Sequence, residues 1–166
     1  MYKRQLITYI PSFTATPIDF QSCFISYSEV DRAFAERLYR DLRREQIRCW
    51  FAPEDLKIGD RFRSEIDRSI RLHDRLLVIL SAASLKSAWV EDEVEAAFER
   101  ERQTGEDVLF PVRVDGEIMS TPNAWAASLR RTRHIGDFTG WPALDKYKES
   151  LQRLLRDLRK RPAPNN

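Results

Sequence analysis

The chain has 166 residues, of which 42% are hydrophobic and 33% charged, a soluble balance that fits one domain around a single core. With 28 basic and 26 acidic residues the net charge is +2, which gives no electrostatic case for a nucleic-acid partner. No apolar run approaches the ~20 residues of a membrane span, and the apolar start of the chain is too short for a signal sequence, so a cytoplasmic chain is expected.

Residues 1–19 carry Pro11 and Pro17 and show no hydrophobic period, so they read as a leader segment before a domain over 20–160. The first strand is expected at Cys23–Tyr27, a short run rich in β-formers. Phe34, Leu38 and Leu42 recur every fourth residue, which predicts a helix over Asp31–Gln46 with Asp31 as its N-cap. A second strand follows at Ile47–Phe51. Phe62, Ile66 and Ile70 predict a helix over 61–73 that ends at His73. Arg75–Leu80 is a near-continuous apolar run, as expected of a strand buried on both faces. A helix over 88–103 is stopped by Gly105. The fourth strand is expected at Val108–Val112, near an edge because Pro111 lacks an N–H. A short helical piece carries Trp125 and Leu129, and a fifth strand is expected at Arg133–Ile135. Tyr147, Leu151, Leu154, Leu155 and Leu158 mark a last amphipathic helix. Residues 161–166 read as a frayed tail.

Strands alternating with helices imply a flavodoxin-like α/β fold: a five-stranded parallel sheet, order 2-1-3-4-5, with helices on both faces. In that winding the chain reverses between strands one and three. Ligands bind beyond the carboxyl ends of those strands, here between Ser26–Asp31 and Ser81–Glu93. Trp89 and Glu93 are four apart on a helix opening there, so they share one face. Glu93 reads either as a reactive carboxylate or as an acid of the first turn favoured by the helix dipole, beside Glu91 and Asp92.

Several chemistries lack support. No GxGxxG or phosphate loop is present, and strands one and three end without the aspartate of a phospho-acceptor site. Cys23 and Cys49 lie in apolar runs and read as small core residues. His73 and His134 lack metal-ligand spacing, so no metal is expected. The stretch Trp50–Asp60 reads either as a loop folding its apolar residues back onto the core or as an exposed docking loop.

Phe24-Ile25-Ser26-Tyr27-Ser28, Trp50-Phe51-Ala52-Pro53-Glu54-Asp55-Leu56-Lys57-Ile58-Gly59-Asp60, Leu80-Ser81 and Ser87-Ala88-Trp89-Val90-Glu91-Asp92-Glu93 occur in order. Together they resemble a bacterial-type TIR (Toll/interleukin-1 receptor) domain over about residues 20–158. The resemblance implies an enzyme that cleaves NAD+ between nicotinamide and ribose, giving ADP-ribose or a cyclic ADP-ribose. Glu93 would be catalytic, with Trp89 and Tyr27 as pocket walls. Ser26, Ser28 and Ser81 would be further substrate contacts, and Arg32 a candidate for the diphosphate. No cofactor is implied, because NAD+ is the substrate. The loop bearing Phe51, Pro53, Glu54, Asp55, Leu56, Ile58 and Gly59 would join protomers head to tail as an oligomer or filament, with other TIR or defence proteins as further partners. The implied setting is bacterial antiviral defence. The alternative within the family is a scaffold that binds other TIR domains without catalysis. A flavin- or nucleotide-binding domain is a third reading, against which the missing phosphate loop argues.

Overall fold

The structure, a computed structural model, describes residues 22–51 and 75–159, without the side chains of Phe51, Ala88 and Trp89. The leader, the expected 61–73 helix with His73, most of the 50–60 loop and the tail lie outside the described residues.

Five parallel strands form one sheet in the order β2-β1-β3-β4-β5. They are β1 (Ser22–Ser26), β2 (Arg48–Phe51), β3 (Arg75–Leu80), β4 (Leu109–Arg113) and β5 (Gly136–Asp137). The helices are α1 (Arg32–Arg44), α2 (Ala82–Leu85), α3 (Ala88–Thr104), α4 (Glu117–Ser120), α5 (Ala124–Thr132) and α6 (Leu144–Arg159). The flavodoxin-like winding expected from the alternation is therefore present. All six residues of β3 are buried, which explains their unbroken apolar run.

Strand alternation divides the core. Cys23, Ile25, Leu77, Ile79 and Val112 face α1 and α6, whose Leu38, Leu42, Tyr147, Leu151 and Leu155 pack on them. Phe24, Leu76, Val78 and Leu80 face the other way, onto Val90, Val94 and Ala97 of α3 and Ala126 and Leu129 of α5. Each fully buried Leu or Val contributes roughly 1.5–3 kcal/mol relative to exposure. Cys23 and Cys49 are free, buried and opposite one another in the β1–β2 register. A hydrogen bond with Cys49 and burial push the Cys23 thiol well above its usual range, as suits a core thiol.

Local signals end the helices. Gly105 takes a left-handed conformation (φ 73°) after α3, as its position predicts. α1 stops two residues before the predicted end. Gln46 adopts φ 69°, Ile47 N–H donates to Leu42 O at 3.0 Å and Gln46 N–H to Arg43 O at 3.0 Å, the two bonds of a Schellman motif.

Two expectations need correction here. The fifth strand is Gly136–Asp137 rather than Arg133–Ile135. The β-branched Ile135 drew that expectation, but its buried side chain packs in the α3–α5 core just before the strand begins. Asp31 stands at the N-terminal boundary of α1, after a 3-10 turn over Glu29–Asp31, yet its side chain makes no capping bond. Its carboxylate is engaged elsewhere.

Pro111 is accommodated as its missing donor requires. Val114 N–H donates to Leu80 O, whereas Arg113 O accepts from Phe138 N–H. Alternation therefore turns Leu109, Pro111 and Arg113 toward β5. The β5 ladder reaches only Val112 and Arg113, so Pro111 faces past its end.

Candidate functional site

β1 and β3 are adjacent and parallel, with Ser26 in register with Val78. The connections that follow them run to opposite sheet faces, α1 on one and α3 on the other. Between them lies the switch-point crevice. Ser26, the last residue of β1, turns toward the α3 face because Ile25 and Tyr27 turn toward α1. Its Oγ donates to Glu93 Oε2 in a short hydrogen bond. Glu93 sits one and a half turns into α3, between the core residues Val90 and Val94, and is 1% exposed. A buried carboxylate is costly unless its charge is met by donors. The Ser26 hydroxyl is one such donor and orients the carboxylate.

The helix that carries Glu93 is anchored through α2. Ser81, just past β3, caps α2 by accepting from Ser84 N–H at 3.1 Å, while Ser84 Oγ accepts from Ser81 N–H at 2.8 Å. This capping box carries Ser where Glu or Gln is usual. Ser87 N–H then donates to Ser84 O at 3.0 Å, and Val90 N–H to Ser87 O at 3.3 Å, passing the chain directly into α3. Ser81 Oγ also bonds Asp31 Oδ2. Burial pushes the Asp31 carboxyl up; the Ser81 bond opposes this, and the Asp115 carboxylate adds to it. Asp115 itself accepts from Ala82 N–H at 2.8 Å, tying α2 to the end of β4.

The expected site residues divide accordingly. Ser26 and Glu93 meet at the switch point, and Ser81 stands at the neighbouring strand end, bonded to Asp31. Trp89 lies in the first turn of α3, one turn before Glu93, and its side chain is outside those described. Tyr27, expected as a pocket wall, follows directly after β1. It is 3% exposed and packs with Phe34 and Leu38 in the α1–α6 core, because a period of two sends neighbours to opposite faces. Ser28 is half-buried at the start of the 3-10 turn, its carbonyl accepting from Asp31 N–H at 2.8 Å. Arg32 forms ion pairs with Glu29 at 3.0 Å and Glu36 at 2.9 Å on the outer side of α1. Phe51 ends β2, opposite Ile25; Pro53, Glu54, Asp55, Leu56, Ile58 and Gly59 are outside the described residues. Asp31 is the residue that the sequence concealed. Its partner Ser81 is 50 positions away, and its own position looked like an ordinary cap.

A second carboxylate on α3, the half-buried Glu101, behaves differently. Glu101 Oε2 accepts from Val108 N–H at 2.8 Å and Leu109 N–H at 3.0 Å, and Oε1 pairs with Arg133. Arg133 also donates to Leu109 O at 3.3 Å. This is a structural clasp at the start of β4. A groove of about 940 Å³ runs between α6 and β4–β5, walled by Arg133, Lys146 and Arg153 against Asp107, Glu149 and Asp157. It includes none of the switch-point residues. Among the described residues, no helix is long and apolar enough to cross a membrane.

Known proteins resemble parts of this chain in sequence and in fold. The NAD(+) hydrolase TcpC of Escherichia coli O6:H1 is 28% identical over 90 residues, 54% of this chain and 29% of that protein. The 2' cyclic ADP-D-ribose synthase BtTIR of Bacteroides thetaiotaomicron is 32% identical over 90 residues, 54% of this chain and 31% of that protein. The match thus spans under a third of the length of either relative. The fold is that of the TIR domain of the Toll-related receptor TRR-2 from Hydra magnipapillata, with a TM-score of 0.61 at 19% identity over 83% of this chain and 98% of that one. A family model described as TIR domain matches residues 23–155, from β1 into the last helix, and the chain belongs to that family.

Proposed function

We propose that this TIR domain cleaves NAD+ at the bond between nicotinamide and ribose, with Glu93 as the catalytic carboxylate. The observation that carries the proposal is the placement of a buried Glu93 at the switch-point crevice, oriented by Ser26. The bacterial relatives named as an NAD(+) hydrolase and a cyclic ADP-ribose synthase support the choice of substrate.

The chemistry asks for little beyond that carboxylate. In NAD+ the nicotinamide is a cationic leaving group. When the C1'–N bond breaks, its electron pair stays on the ring nitrogen and neutral nicotinamide departs, so no general acid is required. Positive charge develops on the ribose, as in other glycosyl transfers. A negative carboxylate against it stabilises that charge, more strongly in a water-poor crevice than in solution. Water adding at C1' and losing a proton gives ADP-ribose; capture by a group of the same molecule gives a cyclic product. Trp89, one helical turn from Glu93, supplies an aromatic wall in this reading.

The reading extends to head-to-tail assembly through the 50–60 loop and to antiviral defence, both resting on the resemblance in sequence. One observation favours a competing reading. Glu93 is 1% exposed, so a scaffold with no route for substrate would look the same. Nicotinamide release from NAD+ by concentrated protein, with and without a crowding agent, decides between them. Release that is lost in Glu93→Ala, with the variant still folded, supports the enzyme. No release under either condition, with self-association intact, supports the scaffold.

A further inference from the structure

The geometry points to Asp31 as a positioning residue of this site: its bond to Ser81 closes a circuit that holds Glu93 against Ser26. The inference rests on the NAD+-cleaving reading above.

The circuit can be followed residue by residue. From Ser26 the chain runs through the 3-10 turn to Asp31. Asp31 accepts from Ser81 Oγ, at the end of the neighbouring strand. Ser81 caps α2, and α2 hands the chain on through Ser84 and Ser87 to α3. Glu93 on α3 then accepts from Ser26. Two serines at adjacent strand ends are thus cross-laced. Each bonds the carboxylate that follows the other strand.

Two simpler roles for Asp31 do not fit. An N-cap aspartate bonds the N–H groups of its own first turn, and Asp31 makes no such bond. A solvated surface acid would not be half-buried with its charge opposed by burial and by Asp115. The retained contact is long-range and ties together the two connections that form the crevice. Cutting it leaves Glu93 attached to Ser26 but leaves the approach to α3 with one anchor fewer. Small displacements of a reacting group are expensive: about 1 Å can cost about a hundredfold in rate.

The test uses the full chain and nicotinamide release. Asp31→Ala should lower kcat about tenfold and leave KM within about twofold, since Asp31 does not contact the substrate. Asp31→Asn keeps a side-chain oxygen to accept from Ser81 and should restore most of the rate. Ser81→Ala also removes the α2 cap and should be at least as slow as Asp31→Ala, and the double variant should be no slower than Ser81→Ala, because the Asp31 link is already lost there. The isosteric Asp31→Asn and the Ser81→Ala variant keep the test open should Asp31→Ala fail to fold. Wild-type kcat in Asp31→Ala or Ser81→Ala overturns the inference, as does a rise in KM alone. A rate in Asp31→Asn as low as in Asp31→Ala would show that charge is needed and also overturns it. Hydrogen exchange provides an arm independent of activity. The Ser84, Ser87 and Val90 amides should exchange faster in Asp31→Ala than in wild type. If wild-type protein releases no nicotinamide, the functional reading has failed, and exchange alone decides the circuit: unchanged rates at those amides sink it.

Discussion

Helix α3 carries two carboxylates turned inward, the buried Glu93 near its start and the half-buried Glu101 near its end, and their surroundings separate two uses of the same group. Glu101 meets two backbone N–H groups and a guanidinium. Its charge is neutralised, and the geometry of β4 depends on it. Glu93 meets the Ser26 hydroxyl, at the carboxyl ends of two strands that diverge to opposite faces. That hydroxyl orients the carboxylate within the crevice. Distance from bulk solvent alone therefore does not mark a reactive acid; the place in the topology separates the two.

Exchanging what each carboxylate can do would break or sharpen this contrast. The largest effect is expected from Glu93→Gln, which keeps shape and removes charge. Nicotinamide release should fall at least about a hundredfold, with little change in melting temperature. A Glu93→Gln variant that retains its rate would reduce Glu93 to a structural acid like Glu101. Conversely, Glu101→Ala should cost about 2–3 kcal/mol of stability by stripping the Val108 and Leu109 amides and stranding Arg133. The rate per folded molecule should stay at the wild-type value. Urea unfolding together with activity measurements checks both halves. Ser26→Ala should reduce kcat about tenfold, roughly 1.4 kcal/mol, by freeing the Glu93 carboxylate to rotate; steady-state kinetics on NAD+ would show it.

The smallest effect concerns a third carboxylate, on the surface. Asp137 accepts from Thr139 Oγ1 at 2.6 Å and Thr139 N–H at 2.9 Å, and these bonds, with Arg113 and Lys146 nearby, hold its carboxyl below the usual range. A carboxyl lowered in the folded state stabilises above its unfolded value of 3.8 and loses that contribution as pH falls through the folded value. Wild type and Asp137→Asn should differ slightly in melting temperature at pH 7 and converge in acid. A gap that persists at pH 2 would assign the effect to packing instead.

Most of the fold was legible because its signals are local. Leu38 and Leu42, or Tyr147 and Leu151, announce helices by spacing alone, and the apolar Arg75–Leu80 run announces a central strand. The winding followed from the alternation of elements. Trp89 and Glu93 were legible as neighbours for the same reason. Tyr27 and Ser26 show what strand alternation adds. In β1 the alternation was already visible, with Cys23, Ile25 and Tyr27 on one side and Phe24 and Ser26 on the other. A polar Ser26 in line with Phe24, directly after the apolar Cys23–Ile25 run, was the available signal for the residue that meets Glu93. Asp31 and the Glu101–Arg133 clasp were not legible. Their partners lie 50 and 32 positions away, and no local pattern encodes which distant side chain a carboxylate will meet. The misplaced β5 has a related cause. Two residues of strand leave almost no periodic trace, and the buried Ile135 beside them left a louder one.

The clasp at the start of β4 has a consequence for self-association. On the side of β4 facing β5, Leu109 has its N–H taken by Glu101 and its carbonyl by Arg133; Pro111 has no N–H to offer; and Arg113 is already laddered to β5. An ion pair and a proline therefore do the work of a missing length of strand. Open sheet edges are the usual template for runaway cross-chain pairing. Beyond the end of β5, β4 therefore gives an incoming strand little to zip onto, and a short β5 does not leave a long open edge behind it.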